Sequence, residues 1–126
     1  DQLVTANLGR LLLRRADTVA AVTVLEPMLR SEPAERDLWI VCRGLHTLAL
    51  AARRSGAGEL QHQALSRVVA LDPLDSEALR ALAIVCARGA RDLETALDCA
   101  ERAQRLTPTD VGQRRVERLK SRLARG

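Results

Sequence analysis

The sequence predicts an all-α fold, an α-solenoid of three helix pairs closed by a C-terminal capping helix. Three observations point there. A phrase recurs in which an apolar helix-length segment runs into a polar or acidic residue and then proline: Leu29-Arg30-Ser31-Glu32-Pro33, Val69-Ala70-Leu71-Asp72-Pro73 and Gln104-Arg105-Leu106-Thr107-Pro108. Those prolines lie 40 and 35 residues apart, and a period in that range marks stacked helix pairs. Aromatic residues are nearly absent, with one Trp and no Tyr or Phe. A core of Leu, Ala and Val suits helices packed closely on helices, whereas strands of a sandwich or barrel favour aromatic and β-branched residues. Finally, apolar residues recur at helical spacing, with capping residues between the runs.

Seven helices are expected in order. The first spans about 2–15, with Leu3, Leu8, Leu11 and Leu12 as its apolar side. Asp17 or Thr18 caps the second, about 18–30, because a side-chain oxygen there satisfies free backbone N–H groups. Pro27 inside that helix removes one hydrogen bond and crowds the Thr23 carbonyl, so a kink or an early end is expected. Pro33 precedes a long third helix, about 35–54, with Glu35 and Asp37 near its positive end. Ser55-Gly56-Ala57-Gly58 reads as a loop, followed by a fourth helix over about 59–71. Asp75 or Ser76 caps a fifth, about 76–88, which Gly89 stops in the left-handed conformation. A sixth spans about 92–106, capped by Asp92 or its neighbour. Asp110 caps the last, about 111–124, where Val116, Leu119 and Leu123 make one apolar stripe.

A length of 126 residues bounds the chain to one domain with a modest core. The expected organisation is a single domain over 1–126, with repeats at about 2–34, 35–74 and 75–109 and a capping helix over 110–124. No apolar run approaches the roughly 18 residues of a membrane span; the longest, Leu38 to Ala52, is broken by Arg43 and His46. No signal peptide is visible, and a chain that opens at Asp1 without Met says little about one. Cys42, Cys86 and Cys99 have no C-x-x-C spacing, so buried thiols are expected rather than a zinc site, and reduced thiols point to the cytoplasm. The net charge of +4 is local: residues 111–126 carry +5, residues 1–110 carry −1. Arg outnumbers Lys 19 to 1, which reads as the codon bias of a GC-rich, bacterial genome.

The helix pairs resemble tetratricopeptide repeats, whose pattern sets Trp, Leu-Gly and Tyr on one helix, then Ala, an aromatic and Pro on the next. The first pair carries Leu8-Gly9, Leu12, Ala21, Leu25 and Pro33 at those intervals. The third carries Leu79, Leu82-Ala83, Cys86, Ala96, Ala100, Ala103, Leu106 and Pro108, with one extra residue in its turn. Gly9, Ala21, Ala83 and Ala96 are small where paired helices must approach. The second pair departs most. Counted from Pro33, Trp39 takes the tryptophan position; counted from Pro73, Leu45, Leu48, Ala49 and Ala52 form the packing face. The registers differ by six residues, a third of a turn out of alignment, and a lengthened helix using both sets at its two ends is expected. The aromatic positions are aliphatic, so the match is divergent. The last helix resembles the extra helix that shields a terminal repeat.

The resemblance implies a concave groove lined by the first helix of each pair. Carried over, it offers Leu3, Ala6, Arg10, Leu13 and Arg14 from the first pair. The second offers Arg43, His46, Leu50 and Arg53, and the third Glu77, Arg80, Ile84, Ala87 and Arg88. Arginine among aliphatic residues suits an acidic peptide or amphipathic helix, with apolar anchors and bidentate Arg–carboxylate pairs. The expected function is therefore a protein–protein interaction module, an adaptor or chaperone; compact size and layout resemble the chaperones of type III secretion systems. A repeat segment of a larger scaffold is the alternative. Another is a regulator that touches nucleic acid through Arg114, Arg115, Arg118, Arg122 and Arg125, which lie opposite the last helix's apolar stripe. With no aromatic to stack bases, a solvated cap is preferred and nucleic acid is not the expected partner. The carboxylate-gripping subclass of the repeats is excluded, since its positions read Ala6, Arg10, Thr47, Glu77 and Ala81. His46 and His62 have no catalytic neighbour at a defining spacing and the glycines form no phosphate loop, so neither enzyme activity, cofactor nor metal is expected. Leu3, Leu13, Leu50 and Ile84 await cover by a partner or by a second copy, which leaves room for a homodimer.

Overall fold

A computed structural model describes residues 1–88 and 92–126 of the chain. Its described residues are helical, with no strand among them, and none of the helices is long and apolar enough to cross a membrane. They group into two compact units, Asp1–Pro73 and Leu74–Gly126.

The N-terminal unit holds α1 (Gln2–Arg14), α2 (Thr18–Leu25), α3 (Leu38–Arg54) and α4 (Gly58–Leu71). Asp1 caps α1 by accepting from the Val4 N–H at 2.9 Å, and Asp17 caps α2 by accepting from Ala20 at 3.1 Å. α2 stops early, as Pro27 requires, and the chain tightens into a 3₁₀ segment over Glu26–Arg30. That tightening still delivers Met28 to the interior. The Ser31–Pro33 passage is tied down from both sides: Gln2 donates to the Ser31 hydroxyl at 2.7 Å, and Arg67 of α4 donates to the Ser31 carbonyl at 2.6 Å and pairs with Glu32 at 3.2 Å. A second 3₁₀ turn, Glu35–Asp37, leads into α3, which begins later than expected.

The ends of α1 and α3 use one device. After α1, the Asp17 N–H reaches the Leu12 carbonyl and the Ala16 N–H reaches Leu13, at 2.9 and 3.0 Å. After α3, Ala57 reaches Ala52 and Gly56 reaches Arg53, at 2.8 and 3.2 Å. Both are Schellman endings, which need a left-handed residue. Gly56 takes it at φ +75° without cost, but Ala16 holds φ +61° with a Cβ in the way. Gly89, expected to play this part after the fifth helix, lies outside the described residues.

Packing in this unit depends on two helical glycines. A Cβ on Gly9 would run into the Leu25 side chain, and one on Gly44 would run into Met28. α1 therefore turns Gly9 and Leu13 inward, and Leu13 joins Ala21 and Ala51 in a buried cluster. This overturns two expectations. Leu8 and Leu11, expected on the apolar side of the first helix, are exposed. Leu13 is core rather than groove, because a residue four positions after Gly9 shares its helix face. In α3 the buried residues include Leu45, Leu48, Ala49 and Ala52, the register counted from Pro73. Trp39 is 60% exposed, so α3 does not use both registers; its rotation is set once, with Gly44 against Met28.

The C-terminal unit holds α5 (Ser76–Ala87), α6 (Leu93–Leu106) and α7 (Asp110–Arg125). Asp75 caps α5 through the Ala78 N–H at 3.0 Å, and Asp92 caps α6 through Thr95 at 3.1 Å. For α7 the cap is Thr109, accepting from Gly112 at 2.9 Å, not Asp110, which is the first helical residue. Thr109 is further held by the Gln104 side-chain amide, which donates to its carbonyl and accepts from its N–H. α6 packs on both α5 and α7 through Ala96, Cys99, Ala100, Ala103, Val116 and Leu119. All three cysteines are buried thiols outside any disulfide. Burial, reinforced by Cys86 and Asp98, pushes the Cys99 thiol from about 9.0 up to about 11.

Three outcomes follow from this packing. Gly9→Ala should lower stability by about 1–3 kcal/mol, since a new methyl must displace a buried leucine, whereas Gly58→Ala, with nothing near its would-be Cβ, should be neutral or mildly stabilising; urea unfolding distinguishes them. Ala16→Gly should stabilise by about 0.5–1 kcal/mol, the left-handed strain relieved exceeding the added chain entropy, and Gly56→Ala should do the reverse. Because the unfolded Cys99 thiol ionises near 9.0 and the folded one only near 11, unfolding releases a proton between those values. Stability should therefore fall as pH rises through that window, and Cys99→Ala should flatten the fall in urea titrations.

Candidate protein-binding surfaces

In the N-terminal unit, the rotation of α3 leaves one stripe facing out: Trp39, Arg43, His46, Leu50 and Arg53, at successive spacings of four, three, four and three residues. Arg43, Leu50 and Arg53 are exposed and His46 half-buried. Four of the five residues were expected in the groove; Trp39 was not, having been assigned to the packing pattern. Its helical spacing from Arg43 and Leu50 was the available signal. Of the groove residues expected on α1, Leu3, Arg10 and Arg14 are exposed and Leu13 is not. α1 carries a further outward stripe of Val4, Leu8 and Leu11, all exposed.

In the C-terminal unit, Ile84 is 41% exposed on α5 and Arg88 is exposed at its end, while Arg80 is half-buried. Ile84 and Arg88 line a cleft of about 410 Å³ between α5 and α7. Its α5 wall is Ala83, Ile84, Ala87 and Arg88; its α7 wall is Arg115, Arg118, Leu119 and Arg122. Arg80 lies outside it. Small residues at Ala83 and Ala87 leave the space open, and no acidic side chain is among the described residues that line it. Arg122 donates to the Ala87 carbonyl at 3.4 Å, placing a guanidinium at the carbonyl-rich end of α5, where positive charge is favoured. The basic residues of α7 were expected opposite its apolar stripe. Arg114, Arg118 and Arg125 are exposed, but Arg115 and Arg122 are half-buried on the Leu119 side, so the last helix forms a wall of the cleft as well as a cover for α6.

Chemically, both surfaces pair cationic heads with apolar footing. The cleft lies at the small end of ligand-site volumes, enough to seat an anchoring side chain. Comparison with family models gives no match to this chain, and no characterised protein sequence matches it significantly.

Proposed function

We propose that this chain is a protein–protein interaction module, built from tetratricopeptide-like helix pairs stacked as an α-solenoid, that holds a peptide or amphipathic helix of a partner as an adaptor or chaperone. The observation that carries this reading is Trp39, the chain's only aromatic residue, standing 60% exposed at the end of a stripe that holds Arg43, Leu50 and Arg53. A tryptophan is costly to leave in water, and Trp with Arg is the composition of interface hot spots. Its companions Leu50 and Ile84 are likewise uncovered on outward helix faces. A chaperone for a type III secretion component is the narrower form of the reading, supported by the chain's size and its order of helices. Reduced, buried thiols support a cytoplasmic setting.

Selection from a displayed library of helical peptides tests this. Enriched peptides should lose tenfold or more in affinity against Trp39→Ala, by the roughly 2 kcal/mol typical of a hot spot, and less against Leu50→Ala. Binding should survive Gln63→Ala on α4. Peptides indifferent to both Trp39 and Ile84, or no enrichment at all, would sink the reading.

A further inference from the structure

We infer that the α5–α7 cleft is a docking site for an acidic amphipathic helix, whose carboxylates pair with the arginine ladder of α7 while one aliphatic side chain sits on Ile84, Ala83 and Ala87. This rests on the reading of the chain as a peptide-binding module and specifies a second site and its partner's chemistry. It also gives α7, which otherwise only covers α6, a direct part in binding.

Charge and spacing both select the occupant. Arg115, Arg118 and Arg122 stand at i, i+3 and i+7 on one helix, so they span about 10 Å along its axis. Carboxylates at i, i+4 and i+7 of a helix lying alongside match that span, and Arg88 closes the cleft from the α5 side. The three guanidinium groups of α7 meet no carboxylate on the described lining. The bond from Arg122 to the Ala87 carbonyl holds one of these heads in place, and Arg115 is half-buried, so less side-chain entropy is lost on pairing. The apolar floor separates a helix from a nucleic acid. Ile84, Ala83, Ala87 and Leu119 offer a phosphate backbone nothing, and no aromatic side chain lies in this unit to stack a base. They do fit a leucine or isoleucine set between acidic residues.

The test is fluorescence anisotropy of the full chain with a labelled helical peptide carrying Glu at i, i+4 and i+7 and Leu at i+3. The same peptide with Gln for each Glu and a labelled single-stranded oligonucleotide run beside it. The expected result is saturable binding of the Glu peptide that weakens about tenfold or more with the Gln peptide and with an Arg115→Gln, Arg118→Gln variant. Ile84→Glu should abolish it, and rising salt should weaken it. Arg122 is left intact because it caps α5, and circular dichroism establishes that each variant is folded. Equal binding of the Glu and Gln peptides overturns the inference. So does Glu-peptide binding that is indifferent to the α7 pair but lost in Trp39→Ala, an outcome that leaves peptide binding itself standing. Failure of every helical peptide, with or without oligonucleotide binding, overturns both the inference and the function it rests on.

Discussion

Close approach at Gly9 and Gly44 is the constraint on which the N-terminal unit depends. With its one aromatic residue outside, the interior has no large planar side chain to fill volume. Backbones must come near enough for Leu, Val, Met and Ala to close the gaps at ordinary packing density. Leu25 and Met28 settle where a Cβ is missing, and each contact fixes the roll of a helix about its own axis. Once α1 is rolled with Gly9 and Leu13 inward, Val4, Leu8 and Leu11 have nowhere to go but out. Once α3 is rolled with Gly44 against Met28, Trp39, Arg43, Leu50 and Arg53 are turned to solvent. The surface is thus a consequence of the core, and the exposed apolar residues are determined by two absent methyl groups.

In the C-terminal unit small residues act differently. Ala96, Ala100 and Ala103 are buried on α6, where they let neighbouring helices seat closely, but Ala83 and Ala87 also border the open cleft. There smallness creates room instead of removing it. The arginines around that room are held by the same forces that order any helix end: a cation near the terminal carbonyls of α5 and alkyl stems laid along apolar surface.

Much of this was legible in the chain. The capping sites at 17–18, 75–76 and 92 could be read to within a residue, and at each the structure uses the aspartate, whose short carboxylate reaches the free N–H groups; Pro27 offered a kink or an early end, and α2 ends. Legibility failed where two residues competed for one role. Thr109 and Asp110 can both cap; extended backbone at Thr109 and the grip of Gln104 decided for threonine. α1 has leucines at 3, 8, 11, 12 and 13, too many for one face, and only the glycine told which arc turned inward. Counting from Pro33 sets Trp39 on the packing position of the repeat pattern, although its spacing from Arg43, Leu50 and Arg53 places it with the surface. The cleft was half visible: Ile84 and Arg88 could be read from the face of α5, but the facing wall depends on how α7 rolls against α6, which periodicity alone leaves undetermined. Basic side chains on such a helix read as solvated until a neighbour is seen beside them.

The exposure of Trp39 has an optical consequence. Near-ultraviolet absorption and intrinsic fluorescence from aromatic side chains arise from a single indole on the outer face of α3. The interior contains no fluorophore, so loss of the packed core changes that indole's surroundings little, whereas anything that settles over it takes it out of water. Emission colour in this protein is therefore nearly blind to unfolding and sensitive to occupancy, the opposite of the usual case.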